Sequence, residues 1–431
     1  MSENILLKLT NKHPVGVYSV CTASGPVIKA SLEFAKENGS ILVVEATANQ
    51  VNQFGGYTNM TPSDYREFVY DIAHDVGFDP SRIVLGGDHL GPLTWTDKDE
   101  AEAMALASTL VYEYAKAGYT KIHLDTSMKV ASDSASEPLS NTIIAQRSCE
   151  LAKAALRGYN ALKESNPDAV FPVFIIGSEV PIPGGAQEAE ESLAVTTVED
   201  FMTTYLVFKD VYQKENMMKV FNHVIAIVVQ PGVEFGDSDL FIYQRENAKK
   251  LTTALKENFE TLNFEGHSTD YQTPSALREM VEDGITILKV GPALTFAYRE
   301  VLFALSEIER ILFSTPSHLP DVLEKAMLDN PKNWEKHYHG NTHELAFKRK
   351  YSYSDRARYY LPVPEVDTAI QTLIHNLESI DIPETLLSQY LPYQYRHVKD
   401  GLITKHPHDL ISDYIKLYLA DYEYATQSAK L

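Results

Sequence analysis

The chain is poor in cysteine. Cys21 and Cys149 are its only two, too few for a disulfide framework. Cys21 reads as a small reduced core side chain, with a thiolate as the alternative. Long apolar runs are missing as well. No stretch reaches the roughly 18 residues that a bilayer-spanning helix requires, so no membrane span is expected. Positive charge is in short supply: 38 basic residues stand against 59 acidic ones, for a net charge of −21. Nucleic acid and anionic membrane surfaces are therefore poor partners, because both call for a basic face. The opening residues, MSENILLKLTNKHP, show no basic stretch followed by an apolar core, and the expected location is cytoplasmic. Low-complexity segments and heptad arrays are absent too.

What is present is a strand-then-helix rhythm from the start to about residue 312. Strands are expected at 15–20, 41–46, 83–87, 121–125, 172–177, 223–229, 262–265 and 285–290. Helices are expected at about 26–37, from Thr61-Pro62 onward, and at 97–117, 141–163, 198–214, 244–257, 274–282 and 295–312. Thr61 as N-cap with Pro62 at the first helical position marks one start clearly, and Gly118 marks one stop. Eight alternating units predict an α/β fold, a closed (β/α)8 TIM barrel over 1–312. The run VIAIVV at 224–229 is apolar throughout, as a parallel strand buried on both faces should be. From 313 to 431 the strand rhythm stops and aromatics accumulate, as in YSYSDRARYYLPVP at 351–364. A mostly helical C-terminal extension is expected there, packed on the barrel or forming a subunit interface, with a homo-oligomer as one outcome.

In such a barrel the chemistry sits at the carboxyl ends of the strands. Those ends carry Ser19 and Cys21; Glu45 with the polar loop that holds Asn49 and Gln53; Asp88 and His89 in IVLGGDHLGP; and His123 and Asp125 in KIHLDTS. Then come Glu179, Gln230, His267 with Asp270 and Gln272, and Lys289. One polar strand end is unremarkable. Seven are hard to explain as packing, since an unpaired buried carboxylate costs several kcal/mol. Imidazoles with carboxylate or amide oxygens suit a divalent cation: zinc, manganese, cobalt or nickel. The alternative is a self-satisfied salt-bridge network filling the barrel mouth.

The strings IVLGGDHLGP, KIHLDTSM, IGSEVPIPGG, VVQPGVEF, FEGHSTDYQ and ILKVGPALTF resemble the tagatose-bisphosphate aldolase Z-subunit family (GatZ/KbaZ type). So do VEATANQVNQFGGYTNMTP and YSYSDRARYY. That family is distantly similar to class II metal-dependent ketose-bisphosphate aldolases, which are (β/α)8 barrels. The resemblance implies that Asp88 moves a proton and that His89 and His267 bind metal. Gln230 stands where those aldolases have their remaining metal histidine. Asp125 and Glu179 would complete the shell or act as bases. Ser19, Glu45, Asn49, Gln53, Asp270, Gln272 and Lys289 would meet substrate.

The phosphate side departs from those aldolases. Asp270 follows closely on His267, and Gly291-Pro292 replaces an asparagine, so an unphosphorylated or singly phosphorylated ketose is expected. The implied reaction is C3–C4 retro-aldol and aldol chemistry, most simply C4 epimerisation of tagatose and fructose or their 6-phosphates. The rival implication is a non-catalytic Z subunit that stabilises and activates a separate aldolase subunit.

Overall fold

The computed structural model describes residues 3–178 and 193–431. Its eight barrel strands are β1 (Val17–Cys21), β2 (Leu42–Thr47), β3 (Ile83–Leu90), β4 (Lys121–Leu124), β5 (Val173–Ile176), β6 (Val224–Val229), β7 (Asn263–Gly266) and β8 (Ile285–Val290). Each pairs in parallel with its neighbours in chain order, and β8 closes on β1 through the register Val17↔Ile287 to Val20↔Val290. The expected (β/α)8 barrel is thus the architecture found. A small antiparallel hairpin, Glu234–Phe235 with Leu240–Phe241, was not expected; it sits in the loop after β6.

Period-two alternation divides each strand's side chains between two cores. Val17, Val43, Val84, Val173 and Ile287 point into the barrel, where Leu6 and Leu9 join them. Tyr18, Val44, Leu85, Ile122 and Leu288 point outward under the helices. The residue two further on from Val43 is Glu45, and the one two on from Ile287 is Lys289. The same alternation therefore turns these charges inward, above the aliphatic layer.

The helices start where the sequence puts their caps. Thr61 accepts from Asp64 N, Asp64 returns the bond to the Thr61 backbone, and Pro62 opens the helix Pro62–Val76. Gly77 ends it at φ +68°. The third helix begins later than expected, at Glu100, because Asp99 rather than Asp97 is the capping residue.

The segment after 313 is helical and shares the outer core. In the last long helix, Pro407–Thr426, Leu410, Ile415 and Leu419 are fully buried. Tyr422 Oη donates to Thr269 O at 2.9 Å, so this helix touches the backbone just past β7. Asp355 accepts from Thr295 Oγ1 at 2.6 Å, tying the 351–360 segment to the helix Pro292–Leu312 beyond β8. Among the described residues no helix is long and apolar enough to cross a membrane.

Candidate metal centre at the barrel mouth

Strand β3 is irregular where it matters. Its pairing with β4 slips between Gly87 and Leu90, and His89 there adopts φ +49°. A left-handed conformation is costly for a residue with a side chain, so the surrounding contacts must hold it. One of them is visible: His89 Nδ1 lies 2.8 Å from Asp125 Oδ2. Gly91 then lets the chain pass the Asp125 carbonyl, where a Cβ would sit at 1.6 Å.

Three imidazoles form a triangle. Ring centroids lie 5.1 Å apart for His89 and His123, 4.9 Å for His89 and His267, and 5.2 Å for His123 and His267. Asp88 joins them, and one ligand atom from each of the four residues falls within 4.8 Å of every other. All four side chains are buried. The donor chemistry fits a cation. Asp125 accepts a hydrogen bond from the His89 Nδ1–H, which leaves Nε2 as a lone pair. Glu265 Oε1 accepts from the His267 Nε2–H at 2.9 Å, which leaves Nδ1 as one. His123 Nδ1 lies 2.9 Å from Asp88 Oδ1, while its buried Nε2 has no hydrogen-bond partner among the described residues. An orphaned imidazole nitrogen in such a cluster is what an ion would satisfy.

Below the triangle runs a chain of alternating charge. Lys289 Nζ is 3.0 Å from Asp88 Oδ2 and also contacts Glu45 Oε2. Glu45 Oε1 is 2.6 Å from Lys121 Nζ, which reaches Glu265 Oε2 at 2.7 Å. Glu265 in turn holds His267. Gly86 accommodates this row: a Cβ there would stand 2.4 Å from Glu45 Oε1.

Titration follows from these contacts. Burial alone would raise Glu265 and Asp125. Lys121 and His267 outweigh it at the first, and His89 at the second, so each carboxyl is held at about 2. Burial likewise opposes ionisation of Asp88, yet His89, His123 and His267 hold it well below the usual carboxylate range. Burial pulls Lys289 down to about 8 and pushes the Cys21 thiol up to about 12, which makes Cys21 an inert thiol rather than a thiolate.

Above the cluster opens a cavity of about 810 Å³, lined by Asp88, His89, His267, Asp270, Lys289, Asn49 and, from the C-terminal segment, Arg358 and Tyr359. Of the residues singled out in the sequence, the cavity brings together Asp88, His89, His267, Asp270, Lys289 and Asn49. Asp125 stays off the cavity wall: its Oδ1 accepts from Ser127 N and Oγ while Oδ2 serves His89. Gln230 does not join the imidazoles. Its Oε1 accepts from Gly232 N at 2.8 Å and Val233 N at 2.9 Å, which uses both lone pairs to close its own turn. His123, flagged as a strand-end residue without a role, takes the third position. Glu45 and Ser19 lie buried inside the barrel and do not line the cavity. Gln53 donates to Leu106 O, and Gln272 pins Tyr243 N and Phe241 O, so both brace loops. Glu179 lies outside the described residues. Lys121 and Glu265 were missed; a Lys and a Glu within short strands buried throughout were the available signal.

The family model for D-tagatose-1,6-bisphosphate aldolase subunit GatZ/KbaZ-like matches residues 3–427. A crystal structure described as a probable tagatose 6 phosphate kinase from Sinorhizobium meliloti 1021 is 41% identical, with a TM-score of 0.86 over 95% of this chain and 100% of that one. Fructose-bisphosphate aldolase from Campylobacter jejuni matches loosely: 14% identity and a TM-score of 0.43, over 86% of this chain and 90% of that one. With a family match spanning nearly its whole length, the chain belongs to the GatZ/KbaZ-like family of D-tagatose-1,6-bisphosphate aldolase subunits.

Proposed function

We propose that the chain is itself an enzyme, carrying out retro-aldol and aldol chemistry at C3–C4 of a ketose and thereby interconverting the C4 epimers tagatose and fructose or their 6-phosphates. The observation that carries this reading is the buried triangle of His89, His123 and His267 around Asp88, open to the cavity. A divalent cation held by these groups would supply Lewis acidity at the ketose carbonyl. Imidazole and carboxylate donors suit zinc, manganese, cobalt or nickel.

The chain's own residues supply the rest. Asp88 is the wall carboxylate that lies among the imidazoles, whereas Asp270 is engaged by the Gly291 and Ala293 amides, so Asp88 takes the C4 hydroxyl proton. As C3–C4 breaks, the bond's electron pair moves onto C3 and the C2 oxygen as an enediolate, and C4 becomes an aldehyde. Turning the aldehyde about C4–C5 exposes its other face. Bond formation then returns the pair to C4, the proton goes back to O4, and the configuration at C4 is inverted. Lys289, 3.0 Å from Asp88 Oδ2, keeps that carboxylate charged between turnovers. Asp125 and Glu265 fix the His89 and His267 rings. Asn49 on the wall is placed to bind hydroxyls.

The test is incubation of the purified chain with fructose, tagatose and their 6-phosphates under each of the four cations, with C4 epimers resolved by chromatography. Conversion that Asp88→Asn abolishes supports the reading; absence of conversion under every condition overturns it. A second reading is favoured by the family description itself, which names an aldolase subunit. On that reading the chain stabilises and activates a separate catalytic aldolase. Its mark would be a complex with that subunit and a gain in its activity that Asp88→Asn leaves intact.

A further inference from the structure

Of the two Lys or Arg side chains on the cavity wall among the described residues, Lys289 is engaged by Glu45 and Asp88, whereas Arg358 forms no ion pair with a described carboxylate, although Asp355 and, more weakly, Asp270 feel its charge. Arg358 Nη1 donates to Ser354 O and Asp355 O, and Nη2 donates to Tyr359 Oη at 2.9 Å. Of its five N–H groups this uses three and leaves two, at Nε and Nη2, without a partner among the described residues. The guanidinium lies over the Tyr359 ring at 4.5 Å, and Tyr359 packs edge-on against Tyr57 with centroids 5.2 Å apart. The fork is therefore held in place before any ligand arrives.

In (β/α)8 barrels a substrate phosphate is commonly seated at the loops after the last two strands, on the N-terminus of a helix. Here that seat is filled from within. Asp270 Oδ1 accepts from Gly291 N at 3.0 Å and from Ala293 N at 2.8 Å, at the start of the helix Pro292–Leu312. A phosphate placed there would displace a carboxylate and meet its charge.

We propose that Arg358 is the substrate-anion residue: it binds the terminal oxyanion of a ketose, a phosphate monoester or a carboxylate at C6, while the other end of the sugar faces the imidazoles. This rests on the ketose reading above and deepens it. The C-terminal segment thereby sets specificity, selecting chains with one charged end over bisphosphates and over neutral sugars. Arg358 suits the task because its planar fork matches either oxyanion.

Binding of unreactive polyols to the full-length chain, followed by calorimetry, tests this. The probes are sorbitol 6-phosphate, gluconate and neutral sorbitol. At least one anionic probe should bind more tightly than sorbitol, and which one does tells phosphate from carboxylate. Arg358→Gln should weaken that probe by roughly ten- to a hundredfold and leave sorbitol unchanged. Thermal melting checks the variant's fold, and Arg358→Met, which keeps the aliphatic stem, replaces it if it does not fold. Equal affinity for all three probes, or an anionic affinity indifferent to both variants, overturns the proposal. Arg358-dependent binding without any ketose conversion leaves the subsite standing and removes the epimerase reading. Conversion of free and phosphorylated ketoses at equal kcat/KM, unchanged by Arg358→Gln, does the reverse.

Discussion

Asp125 Oδ2 sits 2.8 Å from His89 Nδ1, both side chains buried, His89 at the register slip of β3 and Asp125 just past the end of the neighbouring β4. The slip is what brings the two together. It also turns the His89 backbone into the left-handed region, and the Asp125 contact helps hold it there. The carboxylate decides which ring nitrogen carries the proton and so which one faces the cluster. Asp125→Asn keeps the shape but weakens that control. Metal affinity should fall by roughly ten- to a hundredfold, with little change in folding. Equilibrium dialysis against a competing chelator measures it, and an unchanged dissociation constant would contradict the positioning role.

Lys121 is the keystone of the charge row. It is fully buried between Glu45 and Glu265, 2.6 and 2.7 Å away. Lys121→Met removes the cation and leaves two carboxylates facing each other without it. The expected destabilisation is about 3–5 kcal/mol, read from urea unfolding. The double variant Lys121→Met with Glu265→Gln should recover part of this loss, because one stranded charge goes with the lysine. A double variant no more stable than the single one would show that the pairing is not what Lys121 contributes.

The barrel was legible because its signals are local. Period-two and period-3.6 patterns, the Thr61 cap and the turn glycines each act over a few residues, and all eight strands were placed from them. The pairing of His89 with His267 was implied by the resemblance to the class II aldolases; strand ends alone put His123 beside them. What strand position does not tell is which way a side chain turns once past the strand. Gln230 and His123 both end barrel strands, yet Gln230 curls back onto the amides of Gly232 and Val233 while His123 stays inside the strand's own alternation. Arg358 was hidden for a different reason. It lies far along the chain in an aromatic-rich segment, where the tyrosines read as packing and the cation between them attracted no notice.

Asp270 gives a pH dependence with a definite sign. Burial pushes its carboxyl up to about 6, although the Gly291 and Ala293 amides and, more weakly, Arg358 pull the other way; the Tyr271 and Tyr422 hydroxyls also face it. In the unfolded chain it titrates near 3.9. A carboxyl raised on folding favours its neutral form. Between these two values the folded state holds a proton that the unfolded state has released, so the contribution grows as pH falls through 6 and is lost as pH rises through it. Asp270→Asn cannot ionise. The stability of this variant relative to the parent should rise as pH goes from 5 to 7.5. Urea unfolding at several pH values checks this, and a gap that stays flat would mean that Asp270 titrates normally.

His123 and Gln230 should respond oppositely to removal. If His123 Nε2 is a ligand atom, His123→Ala should lose metal as severely as His267→Ala, since each removes one of three nitrogens from the same triangle. Gln230→Ala should keep its metal, because the amide is committed to the turn at Gly232 and Val233; its cost should appear as a stability loss of roughly 1–3 kcal/mol from two amides left without an acceptor. Metal content by elemental analysis, set beside urea unfolding of the same three variants, separates the two behaviours. Metal lost from Gln230→Ala and kept by His123→Ala would restore the arrangement expected from the class II aldolases and remove His123 from the centre.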